Sequence, residues 1–91
     1  MSDNMITRDQ IALMMYRYAQ YKEYDTSVSA DYSDYKDATD VSPYAREAMK
    51  WAIGTGIITG KENGTRIDPL GKATRAECAT IIMRFIELYE K

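Results

Sequence analysis

The sequence predicts an all-α fold, with three main helices joined by long ordered loops. Two segments far apart in the 91-residue chain repeat apolar residues at helical spacing, and each opens with a capping box. A third segment between them opens with Ser42-Pro43 and ends at glycines. We therefore expect helices near residues 7–21, 43–55 and 74–89.

The first and last predicted helices resemble copies of one another. Residues 7–18 align with residues 74–85, so Thr7 lies 67 positions before Thr74, and Thr, Arg, Ala and Arg recur. Each threonine can cap its helix because Gln10 or Glu77 follows three residues later. Such self-similarity at a long period indicates a repeat architecture. We expect the shared apolar stripes to be largely buried: Ile11, Met14, Met15, Tyr18, Cys78, Ile81, Ile82 and Phe85.

The middle helix is predicted from a stripe of small residues. Ser42 is a plausible N-cap, Pro43 suits the first helical position, and Gly54 and Gly56 provide stop signals. The stripe consists of Ala45, Ala48, Met49 and Ala52. Small side chains on this face would let a neighbouring helix approach closely.

Two connecting segments lack helical periodicity. Residues 56–72 contain two short β-prone runs around Asn63-Gly64, a strong tight-turn signal, and predict a compact ordered connector with a short bridge. Residues 22–41 contain few large aliphatic groups and predict a mostly irregular linker.

Composition and charge exclude several functions. The formal charge of −2 argues against a nucleic-acid surface, and no apolar run is long enough for insertion into a membrane. The chain has no histidine, which excludes a histidine zinc site and a Ser-His-Asp triad. The first residues lack the pattern of a signal peptide, so we expect any export signal to lie outside this piece.

No catalytic residue, metal site or cofactor is predicted. Aspartates recur at every third position, but the glycine and closing glutamate of a calcium loop are missing. This set comprises Asp31, Asp34, Asp37 and Asp40. Cys78 lies on an apolar stripe without an accompanying base, which favours a buried structural thiol.

Five blocks in the second part of the chain resemble one repeat of the S-layer homology (SLH) family. In order they are Tyr35-x-Asp37, Tyr44-Ala45-x-x-Ala48-x-x-Trp51-Ala52, Gly56-Ile57-Ile58-x-Gly60, Gly64-x-x-Ile67-x-Pro69 and Ala73-Thr74-Arg75-Ala76-Glu77. On this resemblance residues 1–21 hold the closing helix of a first repeat, residues 22–34 an inter-repeat linker and residues 35–91 one complete repeat.

The arginine after each cap threonine is the main candidate for ligand binding. A cation at a helix N-terminus opposes the helix dipole, so Arg8 and Arg75 need another source of stabilisation. One reading is an anion site in which the guanidinium and helix N–H groups hold a carboxylate or phosphate. The alternative is a solvated arginine, or one paired with a nearby Asp or Glu. The resemblance favours the first reading and adds Thr74.

Three further residues are candidates with competing structural roles. Trp51 could provide an aromatic platform for a sugar or simply be a core residue. Gly60 could bring backbone close to a ligand or serve turn geometry. Asp37 more naturally caps local backbone, and the resemblance implies a ligand hydroxyl contact as the lesser alternative.

The resemblance implies a non-catalytic module that anchors an exported bacterial protein at the cell wall or S-layer. The implied partner is a secondary cell-wall polymer, an acidic and often pyruvylated polysaccharide linked to peptidoglycan. The alternative is a protein–protein assembly module. An enzyme is a poor reading because no acidic pair stands out for glycoside hydrolysis. Because one and a half repeats leave the first helix short of partners, we also expect a homo-oligomer.

Overall fold

The structure, a computed structural model, describes residues 6–60 and 64–90. Its helices are α1 (Arg8–Tyr21), α2 (Arg46–Thr55) and α3 (Arg75–Tyr89). Two short 3-10 turns, Ala38–Asp40 and Pro43–Ala45, precede α2. The described ranges contain no strand, which confirms the all-α prediction. None of the described helices is both long and apolar enough to cross a membrane.

Both predicted capping boxes are formed. At α1 the Thr7 hydroxyl accepts from the Gln10 N–H, and the Gln10 side chain accepts from the Thr7 N–H. Thr74 and Glu77 make the same reciprocal pair at α3. The start of each helix therefore follows from local sequence, because the caps satisfy N–H groups that have no intrahelical acceptor.

The start of α2 differs from the sequence expectation. Ser42 and Pro43 open a 3-10 turn rather than the α-helix itself, and no side-chain cap is made. The N–H of Ser42 instead donates to Asp9 Oδ2 of α1, at 3.2 Å. At its other end α2 terminates as predicted at Gly56, which adopts a left-handed φ of 85°.

The core lies where α1, α2 and α3 meet the connector. The stripe of small residues on α2 lets α1 pack closely against that helix, and larger apolar side chains of the core fill the space between α2 and α3. The fully or nearly fully buried apolar residues include Ala45, Ala48, Met49, Trp51, Ala52, Ile57, Ile58, Ile67, Ile81 and Phe85. Ile11, Ala12 and Ala19 provide the buried face of α1.

Three residues predicted to be buried are exposed. Met14 is 58% exposed, Tyr18 is 43% exposed and Ile82 is 44% exposed, so these predictions were wrong. Met15 and Cys78 are only half-buried. The apolar stripes of α1 and α3 are wider than the surface that α2 and the connector cover. Helical periodicity identifies which residues share a face but not whether a partner covers all of it.

The connector folds back onto the beginning of α1. Thr7 pairs with Lys72 in an isolated antiparallel bridge, and the N–H groups of Arg8 and Asp9 donate to the carbonyls of Gly71 and Pro69. The predicted turn at Asn63-Gly64 falls partly on residues 61–63, outside the described ranges. Within the predicted linker of residues 22–41, the only regular element is the 3-10 turn Ala38–Asp40, which agrees with the expectation of a mostly irregular segment.

Candidate functional site

Arg8 is buried between α1, the connector and α3. Its Nε donates to the carbonyl of Ile67 at 2.9 Å, and its Nη2 donates to the carbonyl of Thr59 at 3.0 Å. Its Nη1 lies 3.1 Å from Glu77 Oε2, in an ion pair. These three contacts use three of the five guanidinium N–H donors. They explain why a cation is stable at this helix N-terminus despite the unfavourable dipole.

A surface pocket of about 250 Å³ opens beside this ion pair. It lies between the start of α1, the beginning of the connector and one face of α3. Its lining residues are Arg8, Ile57, Ile58, Thr59, Gly60, Ala76, Glu77, Thr80, Ile81 and Arg84. The lining thus combines two guanidinium groups, one carboxylate and an isoleucine surface, so its net charge is positive.

Arg84 is a pocket residue that the sequence analysis missed. It is half-buried, and its Nη1 donates to the carbonyl of Ile57 at 3.3 Å, which holds the side chain against the pocket wall. A signal for it existed, because Arg84 is the second arginine that recurs between the two copies, opposite Arg17. Arg17 is exposed and does not line the pocket.

Glu77 was predicted only as a capping residue, but it also lines the pocket. Its Oε1 accepts from the Thr74 N–H at 2.8 Å, while its Oε2 pairs with Arg8. One side chain therefore caps α3 and joins α3 to α1. Its charge offsets that of Arg8, which leaves Arg84 as the pocket cation for which the described residues show no ion pair.

Arg75 and Thr74 lie at the exposed N-terminus of α3. Neither lines the pocket, although the next residue, Ala76, does. The structure therefore separates two arginines that the sequence presents as equivalent. Arg8 is 5% exposed and each of its three guanidinium nitrogens contacts a protein group, whereas Arg75 faces solvent.

Trp51 is a core residue. It is 1% exposed and packs against Tyr16, Phe85 and Tyr89, with ring centroids 5.4–6.4 Å apart. Its Nε1 donates to the Tyr89 hydroxyl at 2.9 Å. Since its ring is covered by protein, Trp51 does not belong to the exposed candidate binding surface.

The carboxylate of Asp37 binds backbone N–H groups of the connector. Its two carboxylate oxygens accept from the N–H groups of Ile67 at 2.9 Å and Asp68 at 2.8 Å. Burial raises the pKa of Asp37, but these backbone donors outweigh burial and the pKa is lowered from its usual value of 3.8. Asp37 thus lies away from the pocket but orders the segment that supplies the Arg8 acceptor.

Gly60 lines the pocket and also meets a packing requirement. A Cβ at this position would lie 3.0 Å from the Gly64 Cα, 3.0 Å from Tyr35 Cε1 and 3.2 Å from the Arg66 carbonyl oxygen. The close approach of two segments of the connector therefore favours glycine here. Of the six candidates, Arg8 and Gly60 meet at the pocket, Thr74 and Arg75 adjoin it in sequence, and Asp37 and Trp51 lie elsewhere.

The S-layer homology domain model matches residues 34–79, half of the chain. The chain belongs to the S-layer homology family. This SLH chain is 37% identical over 59 residues to a surface-layer 125 kDa protein of Lysinibacillus sphaericus, covering 63% of the chain and 5% of the relative. No solved structure matches it significantly.

Two enzymes carry a similar segment. An endoglucanase of Bacillus sp. strain KSM-635 is 30% identical over 77 residues, covering 85% of the SLH chain and 8% of the enzyme. An amylopullulanase of Thermoanaerobacterium thermosulfurigenes is 34% identical over 89 residues, covering 93% and 4%. The chain spans less than a tenth of the length of these curated relatives. The shared part is a non-catalytic SLH domain, which in general anchors proteins to the cell wall.

Proposed function

We propose that this chain helps to anchor an exported bacterial protein at the cell wall by binding an acidic, pyruvylated secondary cell-wall polysaccharide in the pocket beside Arg84. The observation that carries the proposal is the charge and shape of this pocket, with two guanidinium groups and one carboxylate around an isoleucine surface. An exported, cell-surface location follows from the same proposal.

The pocket chemistry suits an acidic sugar. A guanidinium recognises a carboxylate through two parallel N–H donors, and Arg84 is already oriented by the Ile57 carbonyl. The hydroxyl of Thr80 donates to the Ala76 carbonyl, so its oxygen can still accept from a sugar hydroxyl. Apolar C–H faces of the sugar ring would pack on the isoleucine side chains.

Arg75 and Thr74 remain part of the proposed binding surface as outer contacts. Their exposure leaves the Arg75 guanidinium accessible to a polymer longer than one sugar unit. Arg75→Ala is expected to weaken binding without unfolding the domain. Arg75→Lys is also expected to lose affinity, because an ammonium cannot reproduce the bidentate fork.

Co-sedimentation with purified wall sacculi tests the proposal. The chain should sediment with intact sacculi, and stripping the secondary polymer or removing its acidic substituent should abolish binding. Arg84→Ala should weaken binding by about 10- to 100-fold, the loss of one charge-assisted contact of roughly 1.5–3 kcal/mol. Arg17→Ala is the matched control, since Arg17 holds the same repeat position outside the pocket. Equal binding by the two folded variants would contradict the pocket assignment.

A protein–protein assembly role is the second candidate. It is favoured by the exposed apolar side chains of Met14, Tyr18 and Tyr21 on one helix, which leave part of α1 uncovered. A homo-oligomer, with a symmetric dimer first, would cover this surface. Light scattering across micromolar concentrations measures self-association. A chain that self-associates and co-sediments equally well with stripped and intact sacculi would support assembly over glycan anchoring.

A further inference from the structure

Three aromatic rings form a stack that leads from the core to the protein surface. At its inner end the Trp51 side chain is 1% exposed. The centroid of the Tyr89 ring lies 6.4 Å from that of Trp51, and the two ring planes are inclined by 14°. The centroid of the Tyr24 ring lies 5.0 Å from that of Tyr89, with the planes inclined by 6°. Tyr24 and Tyr89 are half-buried, so the outer end of this aromatic stack reaches solvent.

The three rings differ in their hydrogen-bond acceptors. The Trp51 Nε1–H donates to the Tyr89 hydroxyl at 2.9 Å, and that hydroxyl donates to the Asp25 carbonyl at 2.8 Å. The Tyr24 hydroxyl instead donates to Glu90 Oε2 at 2.7 Å. This hydrogen bond to a carboxylate raises the pKa of Tyr24 to about 12, which keeps the phenol protonated. Tyr24 is therefore the ring of the stack that has a carboxylate in place to take its proton.

We propose that the aromatic stack is a redox relay, which returns an electron to Trp51 after a one-electron oxidant has removed one. Tryptophan and tyrosine are the aromatic side chains that lose an electron most easily, and rings in contact exchange electrons rapidly. In the overall step an electron passes from Tyr24 through the Tyr89 ring to the Trp51 radical cation. The Tyr24 hydroxyl proton moves to the Glu90 carboxylate. The products are neutral Trp51, a neutral tyrosyl radical and protonated Glu90, so charge and protons balance.

The initial oxidant and the final reductant both come from outside the protein. The oxidant is a radical of the reactive-oxygen class, and it is reduced by the electron that Trp51 loses. A small-molecule thiol or ascorbate then gives one electron to the Tyr24 radical at the surface, and Glu90 returns the proton. The relay protects the core, because an oxygenated indole would place new polar groups among buried apolar side chains.

The direction of transfer follows from the acceptors. Loss of an electron makes a phenol strongly acidic, so a tyrosyl radical forms rapidly only where a base takes the proton. The backbone carbonyl that accepts from Tyr89 is too weak a base to hold a proton, whereas the Glu90 carboxylate can hold one. The oxidising equivalent therefore settles on Tyr24.

Tyr16 separates this proposal from simple proximity of rings. Its ring centroid lies 5.4 Å from that of Trp51, closer than the centroid of Tyr89, with the planes inclined by 53°. Within residues 6–60 and 64–90, no group accepts a hydrogen bond from the Tyr16 hydroxyl. Tyr16→Phe is the matched control for Tyr24→Phe, because each change removes one hydroxyl and keeps the ring.

Laser photo-oxidation of Trp51 tests the proposal. Light at a wavelength that tyrosine does not absorb ejects an electron from this indole, the single tryptophan of the chain, and a cobalt(III) ammine complex takes that electron up irreversibly. Transient absorption then follows the tryptophan and tyrosyl radicals separately. Tyr24→Phe should slow formation of the tyrosyl radical by at least about tenfold, and Tyr16→Phe should leave it unchanged. An unchanged rate in Tyr24→Phe, or a slowed rate in Tyr16→Phe, would overturn the proposal.

Glu90→Gln tests the proton transfer. Glu90 is exposed, and glutamine keeps an acceptor for the Tyr24 hydroxyl, so the fold and the stack are retained. Because an amide cannot hold the proton, the tyrosyl radical should form at least about tenfold more slowly. Glu87→Gln is the matched control, since Glu87 is an exposed glutamate of the same helix and the Tyr24 hydroxyl donates to Glu90 instead. Equal rates in the two glutamine variants would contradict the relay. No polysaccharide takes part, so these results are independent of the glycan proposal.

Discussion

Replacing Arg8 with alanine removes the side chain that joins the first helix to the connector and to α3. The substitution leaves the carbonyls of Ile67 and Thr59 without their donor and the Glu77 carboxylate without its ion partner. Arg75→Ala is the matched control, since Arg75 occupies the same position of the repeated motif but is exposed.

The expected loss follows from burial. Arg8 is 5% exposed, and removal of one partner from a buried, hydrogen-bonded ion pair costs roughly 3–5 kcal/mol. A surface substitution such as Arg75→Ala changes the free energy of unfolding by less than about 0.5 kcal/mol. Since a domain of this size is stable by little more than roughly 5 kcal/mol, Arg8→Ala should leave it only marginally folded.

Urea unfolding followed by tryptophan fluorescence measures both variants. Trp51 is buried, so its emission reports directly on loss of the core. For a small domain the slope is about 1 kcal/mol per molar urea, so Arg8→Ala should lower the midpoint by about 3–5 M and Arg75→Ala by less than about 0.5 M. Similar midpoints for the two variants would refute the reasoning, because they would show that the Arg8 contacts add no stability.

Three further predictions concern the connector and the core. Because the pKa of Asp37 is lowered in the folded state, its contribution to stability is complete above pH 3.8 and is lost as the pH falls through the lowered value. Thermal melts at pH 2–7 should show this loss of stability in the parent chain. The melting midpoint of Asp37→Asn should depend less on pH over the same range. Gly60→Ala should lower the free energy of unfolding by about 1–3 kcal/mol because its methyl would meet backbone and the Tyr35 ring, and calorimetry that shows no change would contradict this packing argument. Tyr89→Phe should lower the free energy of unfolding by about 1–3 kcal/mol, because it leaves the Trp51 indole N–H without its acceptor. An unchanged urea midpoint would mean that the indole N–H finds another acceptor.

The exposed residues on the repeated apolar stripes of α1 and α3 show the limit of what helical periodicity predicts about burial. Met14 and Ile81 are equivalent in the repeat, yet Met14 is 58% exposed and Ile81 is 3% exposed. A 3.6-residue period assigns both to the apolar face of a helix. Burial additionally depends on which other segment reaches that face, and this is a property of chain topology.

Local signals in the sequence were sufficient for the helices and the family. The capping boxes at Thr7 and Thr74 and the glycine at position 56 place helix ends within a residue or two, because caps act through groups three or four residues apart. The order of the five motif blocks pointed to the SLH family without any contact information. Both kinds of signal are carried by neighbours along the chain.

Tertiary structure alone distinguished Arg8 from Arg75 and revealed the pocket with Arg84. The two arginines have the same local motif, and only the return of residues 56–72 to α1 buries one and leaves the other in solvent. Arg84 and Glu77 likewise acquire their second roles from contacts with residues 27 and 69 positions away. Such contacts depend on how the linker and connector route the chain in space, and that routing results from the packing of the whole core rather than from any local pattern.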